Sequence, residues 1–245
     1  MAHGQDQHDP NLAASAATPL DAVHAYRTTM GELLDDPLPD NPFPTLEAWL
    51  AEATRRDIQP NPNAMALATA TDSGAPSVRV VLCRGMDTNA GSLWFYTNAS
   101  SRKGRELASN PRAAVAFHWD ALDRQARVEG AVEPLAEADS DAYFASRRWE
   151  KRIGAWASDQ SRPVASRREL LEKVNATLRR FGIDPDNPPP PDAQVDIPRP
   201  PHWGGYRLTA HAVELWVGSP GRIHDRALWT RPPGGGAWAS TRLQP

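Results

Sequence analysis

A single cysteine, Cys83, stands in 245 residues. That excludes an intrachain disulfide and fits a reducing compartment, so a cytoplasmic protein is expected. Cys83 ends the apolar run Val80-Val81-Leu82-Cys83 and reads as a small buried hydrophobe rather than a reactive thiol. No run approaches the roughly 18 apolar residues of a membrane span, so no membrane partner is expected. The opening MAHGQDQHDPNLAASAATPLD lacks the basic start and apolar core of a secretory signal. It is polar and rich in Ala and Pro, and residues 1–20 are expected to form a disordered tail. Positive charge is not in excess: 27 Lys and Arg against 30 Asp and Glu give a net charge of -3. The overall field therefore does not favour nucleic acid, and any anion site must be a local cluster of Arg and Lys. The sequence has no GxGxxG or GxxxxGK[ST] phosphate loop, no HExxH, no CxxC pair and no GxSxG elbow. His24, His118, His202, His211 and His224 show no ligand spacing, so no metal is expected.

What is present suits a soluble globular protein, with 40% hydrophobic and 23% charged residues. Residues 21–44 are expected to be an N-terminal helix and a proline-rich connector. In Asp21–Leu34, Ala22, Val23, Tyr26, Met30 and Leu33 fall near helical spacing, and DDPLPDNPFP follows as extended chain. Residues 45–245 then form the main domain. Thr45 reads as an N-cap for a helix whose apolar face is Leu46, Trp49, Leu50 and Ala53. Strands are expected at Ala64–Thr71, Ser77–Arg84, Ser92–Thr97, Ala113–Trp119 and Arg124–Val132, joined by turn residues, with a short helix at Ser101–Ser109. The middle is helical, over Glu137–Arg147 and again after the capping-box spacing of Ser166 and Glu169, where Leu170, Val174 and Leu178 form a stripe. The proline-dense stretch 182–201 has no core-forming pattern and reads as an extended linker. Strands return at Gly205–Thr209, Ala212–Val217, Ala227–Arg231 and Ala237–Leu243. Strands at both ends with helices between imply an α+β fold around a closed antiparallel sheet.

The strongest chemical signal is Phe95-Tyr96-Thr97-Asn98-Ala99-Ser100-Ser101-Arg102-Lys103-Gly104. A strand ends in hydroxyl and amide side chains, and a helix then starts with Ser-Arg-Lys. A helix start presents free N–H groups and positive dipole, so two cations placed there call for an anion to offset them. Arg79 and Arg84 flank Val80-Val81-Leu82-Cys83; five residues apart on a strand, they point to opposite faces. Tyr143, Arg147 and Lys151 recur every four residues, and one helix through them would make a second anion receptor, though Glu150 among them also suits a solvated, salt-bridged face. Arg222, His224 and Arg226 share one face of an extended segment, with Trp216 upstream as core or as the wall for a flat ring.

Taken in order, these segments resemble the pyridoxamine 5'-phosphate oxidase family. The resemblance is carried by RVVLCR (79–84), FYTNASSRKGRELASNPRAA (95–114), Arg124-Gln125, YFASR (143–147), RIGAWASDQS (152–161), HWGGYR (202–207), ELWVGSPGRIHDR (214–226) and the closing RLQP. It implies an FMN-binding split β-barrel and a homodimer with FMN at the subunit interface. By position it places Arg79, Val80, Val81, Leu82, Arg84, Tyr96, Thr97, Ser101, Arg102, Lys103, Gln125, Gln160, Ser161, Trp216 and Arg226 on FMN, with Arg102 and Lys103 on its phosphate. Arg84, Tyr143, Arg147, Lys151, Arg222 and His224 match the substrate positions, Arg222 and His224 being the catalytic pair that orients the substrate ring. The implied reaction oxidises pyridoxamine or pyridoxine 5'-phosphate to the aldehyde, with O2 as acceptor and hydrogen peroxide as product.

The chain departs from the family pattern at four places. The family usually has Lys where Arg84 stands, Ser where Lys151 stands, and often Gln where Val217 stands, while its basic N-terminal lid reads GELLDDPLP here. Arg for Lys exchanges a point charge for a planar fork, and Lys151 adds a cation. The anion receptor is kept and its shape is changed. Two other readings therefore stand beside the vitamin B6 oxidase: a flavin oxidase of the phenazine-pathway kind acting on another anionic ring, and a flavin-binding protein without turnover.

Overall fold

The computed structural model describes residues 33–245. The expected tail and nearly all of the expected first helix lie outside the described residues; Leu33 and Leu34, at that helix's end, are not helical. The connector that follows is tied to the C-terminal strands. Leu34 N–H donates to Asp225 Oδ2 at 2.9 Å, and the Trp229 indole donates to the Pro39 carbonyl at 2.8 Å.

Helix α1 spans Phe43–Arg55, starting two residues before the expected cap. Pro42, not Thr45, occupies the N-cap, and no side chain caps it; prolines suit this end because the missing N–H has no helical partner there. Phe43, Leu46, Trp49 and Ala53 recur at helical spacing and are all buried against the sheet. Each such large side chain contributes about 1.5–3 kcal/mol by leaving water.

The strands are β1 (Ala64–Ala70), β2 (Pro76–Leu82), β3 (Gly85–Asp87), β4 (Ser92–Asn98), β5 (Arg112–Trp119), β6 (Arg124–Pro134), β7 (Trp203–Val217), β8 (Asp225–Thr230) and β9 (Ala239–Leu243). All pair antiparallel, in the order β2-β1-β5-β6-β7-β4-β3, with β8 and β9 continuing from β7. Among the described residues the hydrogen-bonded path stays open between β2 and β3, so the ladder is not the closed one the sequence implied. The two strands expected at 205–209 and 212–217 are one 15-residue strand, β7, which pairs β6 through a register shift at Glu129/Gly130. That bulge absorbs the break in alternation that made the segment look like two strands.

Helix α2 (Arg102–Ser109) follows β4. Three helices fill the middle: α3 (Glu137–Ala145), α4 (Trp149–Ala157) and α5 (Arg167–Arg180). Ser166 caps α5, its Oγ accepting from Glu169 N–H at 3.1 Å, while Glu169 reaches back to Ala165 N–H. The proline-dense segment is free of regular structure, as expected, but it does build core. Ile183 and Ile197 are buried with Phe144, Trp149, Ile153, Leu178 and Trp203, and the carbonyls of Pro190 and Pro198 accept from the Trp149 and Trp156 indoles. Isolated apolar residues among prolines give no periodic signal, so composition hid this second core.

Candidate active site

The β4–α2 turn delivers Lys103 to the floor of a cavity of about 530 Å³. Ser101 caps α2 by accepting from Gly104 N–H at 3.3 Å. Gly104 is required there, because a Cβ would collide with the Ala99 backbone. The Lys103 ammonium, almost fully buried, donates to Gln160 Oε1 at 2.8 Å, Thr97 Oγ1 at 3.1 Å and Ser101 Oγ at 3.3 Å. None of these partners is charged. Burial, and then the neighbouring Arg79, pushes its pKa down to about 8.

Arg79, Arg84, Lys103, Arg147 and Lys151 all line this cavity, and among the described residues no Asp or Glu does. Arg79 and Arg84 were expected on opposite faces. They meet because β2 ends at Leu82 and the chain turns at Cys83-Arg84, where Arg84 N–H bonds to the Trp94 carbonyl at 2.8 Å. Cys83 is buried at that turn, and burial pushes its thiol up to about 11, in keeping with an inert side chain. Val80, Val81, Leu82, Tyr96, Thr97, Tyr143 and Gln160 complete the sequence-expected part of the lining.

Tyr143, Arg147 and Lys151 also come together, but not on one helix. Helix α3 stops at Ala145, and α4 starts after Arg148, whose ψ of 145° breaks the run. In one continuous helix Phe144 and Trp149 would lie about 140° apart; the break lets both enter the second core. Tyr96, Tyr143 and Trp203 stack nearly parallel, with Tyr96–Tyr143 centroids 4.0 Å apart and Tyr96–Trp203 5.3 Å apart. Arg147 lies over Trp203 at 4.8 Å. Gly205 leaves room for Tyr96, which a Cβ there would strike.

Arg102 behaves differently from Lys103. Its side chain is 57% exposed, pairs with Glu106 at 2.8 Å and does not line the cavity. The anion that offsets it is therefore Glu106, one helical turn on. Glu106 is buried and also accepts from Thr69 Oγ1 at 2.5 Å, Ser77 Oγ at 2.6 Å and Arg79 at 3.4 Å. Burial alone would raise its pKa; the donors Ser77, Thr69 and Arg102 prevail and hold it at about 2. Ser101 is fully enclosed as the cap, and Ser161 is exposed in a turn with φ 67°; neither lines the cavity.

The remaining expected residues lie elsewhere on the chain. Trp216 and His224 line a second cavity that shares no residue with the first. His224 packs on Trp216 at 4.6 Å, and its Nδ1 accepts from Ser219 N–H at 3.3 Å. Gln125 pairs with Trp216 across β6 and β7, and Arg226 pairs with it across β7 and β8 while bonding Glu214 at 2.7 Å. Arg222, His224 and Arg226 do not share one extended face. Pro220–Arg222 is a short 3-10 turn, with Gly221 and Arg222 at positive φ, and Arg226 belongs to β8.

Sequence reasoning missed Asn98, Gly154, Ala155, Ser158 and Trp203 in the first cavity. A signal existed for three of them: Lys151, Gly154, Ala155 and Ser158 follow i, i+3, i+4, i+7 spacing, one helix face whose small members leave room for a ligand.

A family model described as pyridoxamine 5'-phosphate oxidase matches residues 51–179, and one described as the pyridoxine 5'-phosphate oxidase C-terminal dimerisation region matches 203–245. The chain belongs to the pyridoxamine 5'-phosphate oxidase family. A pyridoxine/pyridoxamine 5'-phosphate oxidase of Maricaulis maris is 48% identical over 207 residues, covering 84% of this chain and 86% of the relative. One of Gluconobacter oxydans is 47% identical over 215 residues, covering 86% and 99%. Among solved structures, PhzG from Burkholderia lata in complex with tetrahydrophenazine-1-carboxylic acid is 32% identical, with a TM-score of 0.76 over 89% of this chain and all of that one. The α+β antiparallel fold is thus that of the family, whose cofactor is FMN, and the protein is an FMN-dependent oxidoreductase.

The first cavity fits that cofactor on its own chemistry. Of its five cations only Arg79 reaches a carboxylate, Glu106 outside the lining, among the described residues; the other four ask for an anion, and Arg147 Nη1 is buried with no hydrogen-bond partner among the described residues. Lys103, Arg79, Thr97 and Gln160 would hold the phosphate. A pH effect follows. Bound phosphate favours charged Lys103, and in the free protein that proton is lost as pH rises through about 8. FMN affinity is expected to be greatest near pH 7, where the phosphate is doubly ionised and Lys103 is charged, and to fall toward tenfold per unit above pH 8, read by fluorescence titration; a flat profile from pH 7 to 9.5 would place the phosphate away from Lys103. Without ligand the sign reverses. The folded pKa lies below the ordinary 10.5, so the buried charge costs stability below pH 8, and that cost is relieved as pH rises toward 10.5.

Proposed function

We propose that the protein oxidises pyridoxamine and pyridoxine 5'-phosphates to pyridoxal 5'-phosphate, with O2 as the final acceptor. The amine consumes O2 and water and yields ammonia and hydrogen peroxide; the alcohol consumes O2 and yields hydrogen peroxide. FMN, when bound, supplies the two-electron chemistry, and the protein supplies binding and orientation. The observation that carries the reading is the cavity in which five cations meet stacked aromatic side chains with no carboxylate among the lining residues. It suits two phosphates and a flat ring.

In this reading Arg84, Tyr143, Arg147 and Lys151 hold the substrate phosphate, and Arg222 and His224 orient its ring. The second set reaches the first cavity from a second copy. The working form is a homodimer of split barrels, with FMN between the protomers and Gln125, Trp216 and Arg226 closing on it from the partner. Two features support the dimer: the match of residues 203–245 to a dimerisation region, and Val78 and Val80, each over two-thirds exposed on the end strand β2 beside the cavity.

Arg84 and Lys151 favour a second reading, in which the ring carries a carboxylate instead of a phosphate, as in the ligand named for the Burkholderia lata structure. One experiment separates the two. Adding pyridoxamine 5'-phosphate anaerobically to the yellow protein is expected to bleach the flavin, and air to restore it with release of peroxide. An unbleached flavin at saturating pyridoxamine 5'-phosphate, with bleaching by a reduced cyclic carboxylate, would establish the second reading instead.

A further inference from the structure

Helix α4 presents Lys151, Gly154 and Ala155 to the first cavity and Trp149 and Ile153 to the second core. Arg152 lies between these faces, about 100° round from Lys151. It is 8% exposed, and its Nε is buried with no hydrogen-bond partner among the described residues. No ion pair ties its guanidinium to a carboxylate within the described chain. Side chains on a helix lean toward its N-terminus, and Arg147, itself half-buried with an unpartnered Nη1, stands two residues before that end. Arg147 responds to this crowding. Burial first, against the opposing influence of Tyr143, and then the charges of Arg84 and Arg152 lower its proton affinity. Arg147 in the wall of the first cavity and the buried Arg152 outside its lining have no carboxylate partner among the described residues, and the two guanidiniums oppose folding until an anion arrives.

We infer that Arg152 is a positioning and charge-tuning residue of the substrate-phosphate subsite, acting through Arg147 and trading stability of the unliganded protein for affinity toward a phosphate. This rests on the reading of that subsite given above. Binding Arg147 with a dianion relieves the repulsion from Arg152, so the ligand gains what the empty site loses.

The test uses the FMN-loaded protein, with pyridoxal 5'-phosphate and inorganic phosphate as probes. Arg152→Gln removes the charge and keeps a polar side chain; Arg152→Lys keeps the charge. In Arg152→Gln the melting temperature without phosphate is expected to rise by roughly 2–4 °C. The Kd for pyridoxal 5'-phosphate is expected to weaken about 5- to 10-fold, the effect of one nearby charge at a partly screened site. Arg152→Lys is expected to keep the wild-type melting temperature within about 1 °C and the wild-type Kd within about twofold. A merely structural arginine would move stability and affinity together. A lower melting temperature in Arg152→Gln, or an unchanged Kd, overturns the inference while leaving the function in place. Failure of both probes to bind the wild-type protein overturns the phosphate reading itself, and this inference with it.

Discussion

Lys103→Ala is expected to yield a nearly colourless protein that takes up FMN at least 100-fold more weakly than the wild type. The reason is specific to its setting. The ammonium is almost fully buried and is held by three neutral oxygens, Thr97 Oγ1, Ser101 Oγ and Gln160 Oε1, so nothing among the described residues neutralises it. A charge-assisted bond to a charged ligand group contributes about 1.5–3 kcal/mol. The loss of the cation's attraction at a desolvated site adds to that, giving about 3 kcal/mol or more. Arg102→Ala is expected to cost less than about fivefold, because that guanidinium is 57% exposed and already paired with Glu106. Removing the Lys103 charge also relieves a buried cation, so the unliganded Lys103→Ala protein should melt no lower than wild type. The ratio of visible flavin absorbance to protein, followed by fluorescence titration of the stripped protein, measures both variants. A yellow Lys103→Ala beside a colourless Arg102→Ala would put the phosphate at the helix surface rather than in the cavity.

The contrast between these neighbours marks where the sequence ceases to be informative. The Ser-Arg-Lys start after a hydroxyl-rich strand end was legible as an anion socket, because helix N-termini carry free N–H groups wherever they occur. Which of the two cations faces inward depends on how α2 sits against β1 and β2, and that is fixed by the buried Glu106 with Thr69 and Ser77. Those partners are 37 and 29 residues away in the chain, and no local pattern joins them. The same holds for Tyr143, Arg147 and Lys151. Their four-residue spacing located the right side chains, although the helix between them breaks so that Phe144 and Trp149 can share a core. Alternation in β6 and the capping box at Ser166 were readable because they are local rules obeyed locally. The bulge in β7, the turn at Cys83-Arg84 and the burial of Ile183 and Ile197 are tertiary outcomes that override propensity.

Mixed dimers of Arg147→Ala and Arg222→Ala are expected to regain about a quarter of wild-type activity, although each variant alone falls by roughly 100-fold or more. Arg147 lines the first cavity, while Arg222 lies on the turn beside His224, which lines the second; the cavities share no residue. If each active site takes Arg147 from one protomer and Arg222 from its partner, a hybrid dimer contains one site with both arginines replaced and one with both intact. Random reassociation makes about half of the dimers hybrid, and each hybrid has one working site in two. A site built within a single protomer gives no recovery, because every protomer then lacks one arginine. Flavin content separates binding from turnover in the same samples. Arg222→Ala is expected to stay yellow, since the phosphate socket around Lys103 is untouched, and its defect should appear in kcat with substrate still bound through Arg84, Arg147 and Lys151. Loss of flavin from Arg222→Ala, or mixed dimers no more active than their parents, would mean that the two cavities do not meet across a dimer. Recovery near one quarter would establish that neither protomer holds a whole active site.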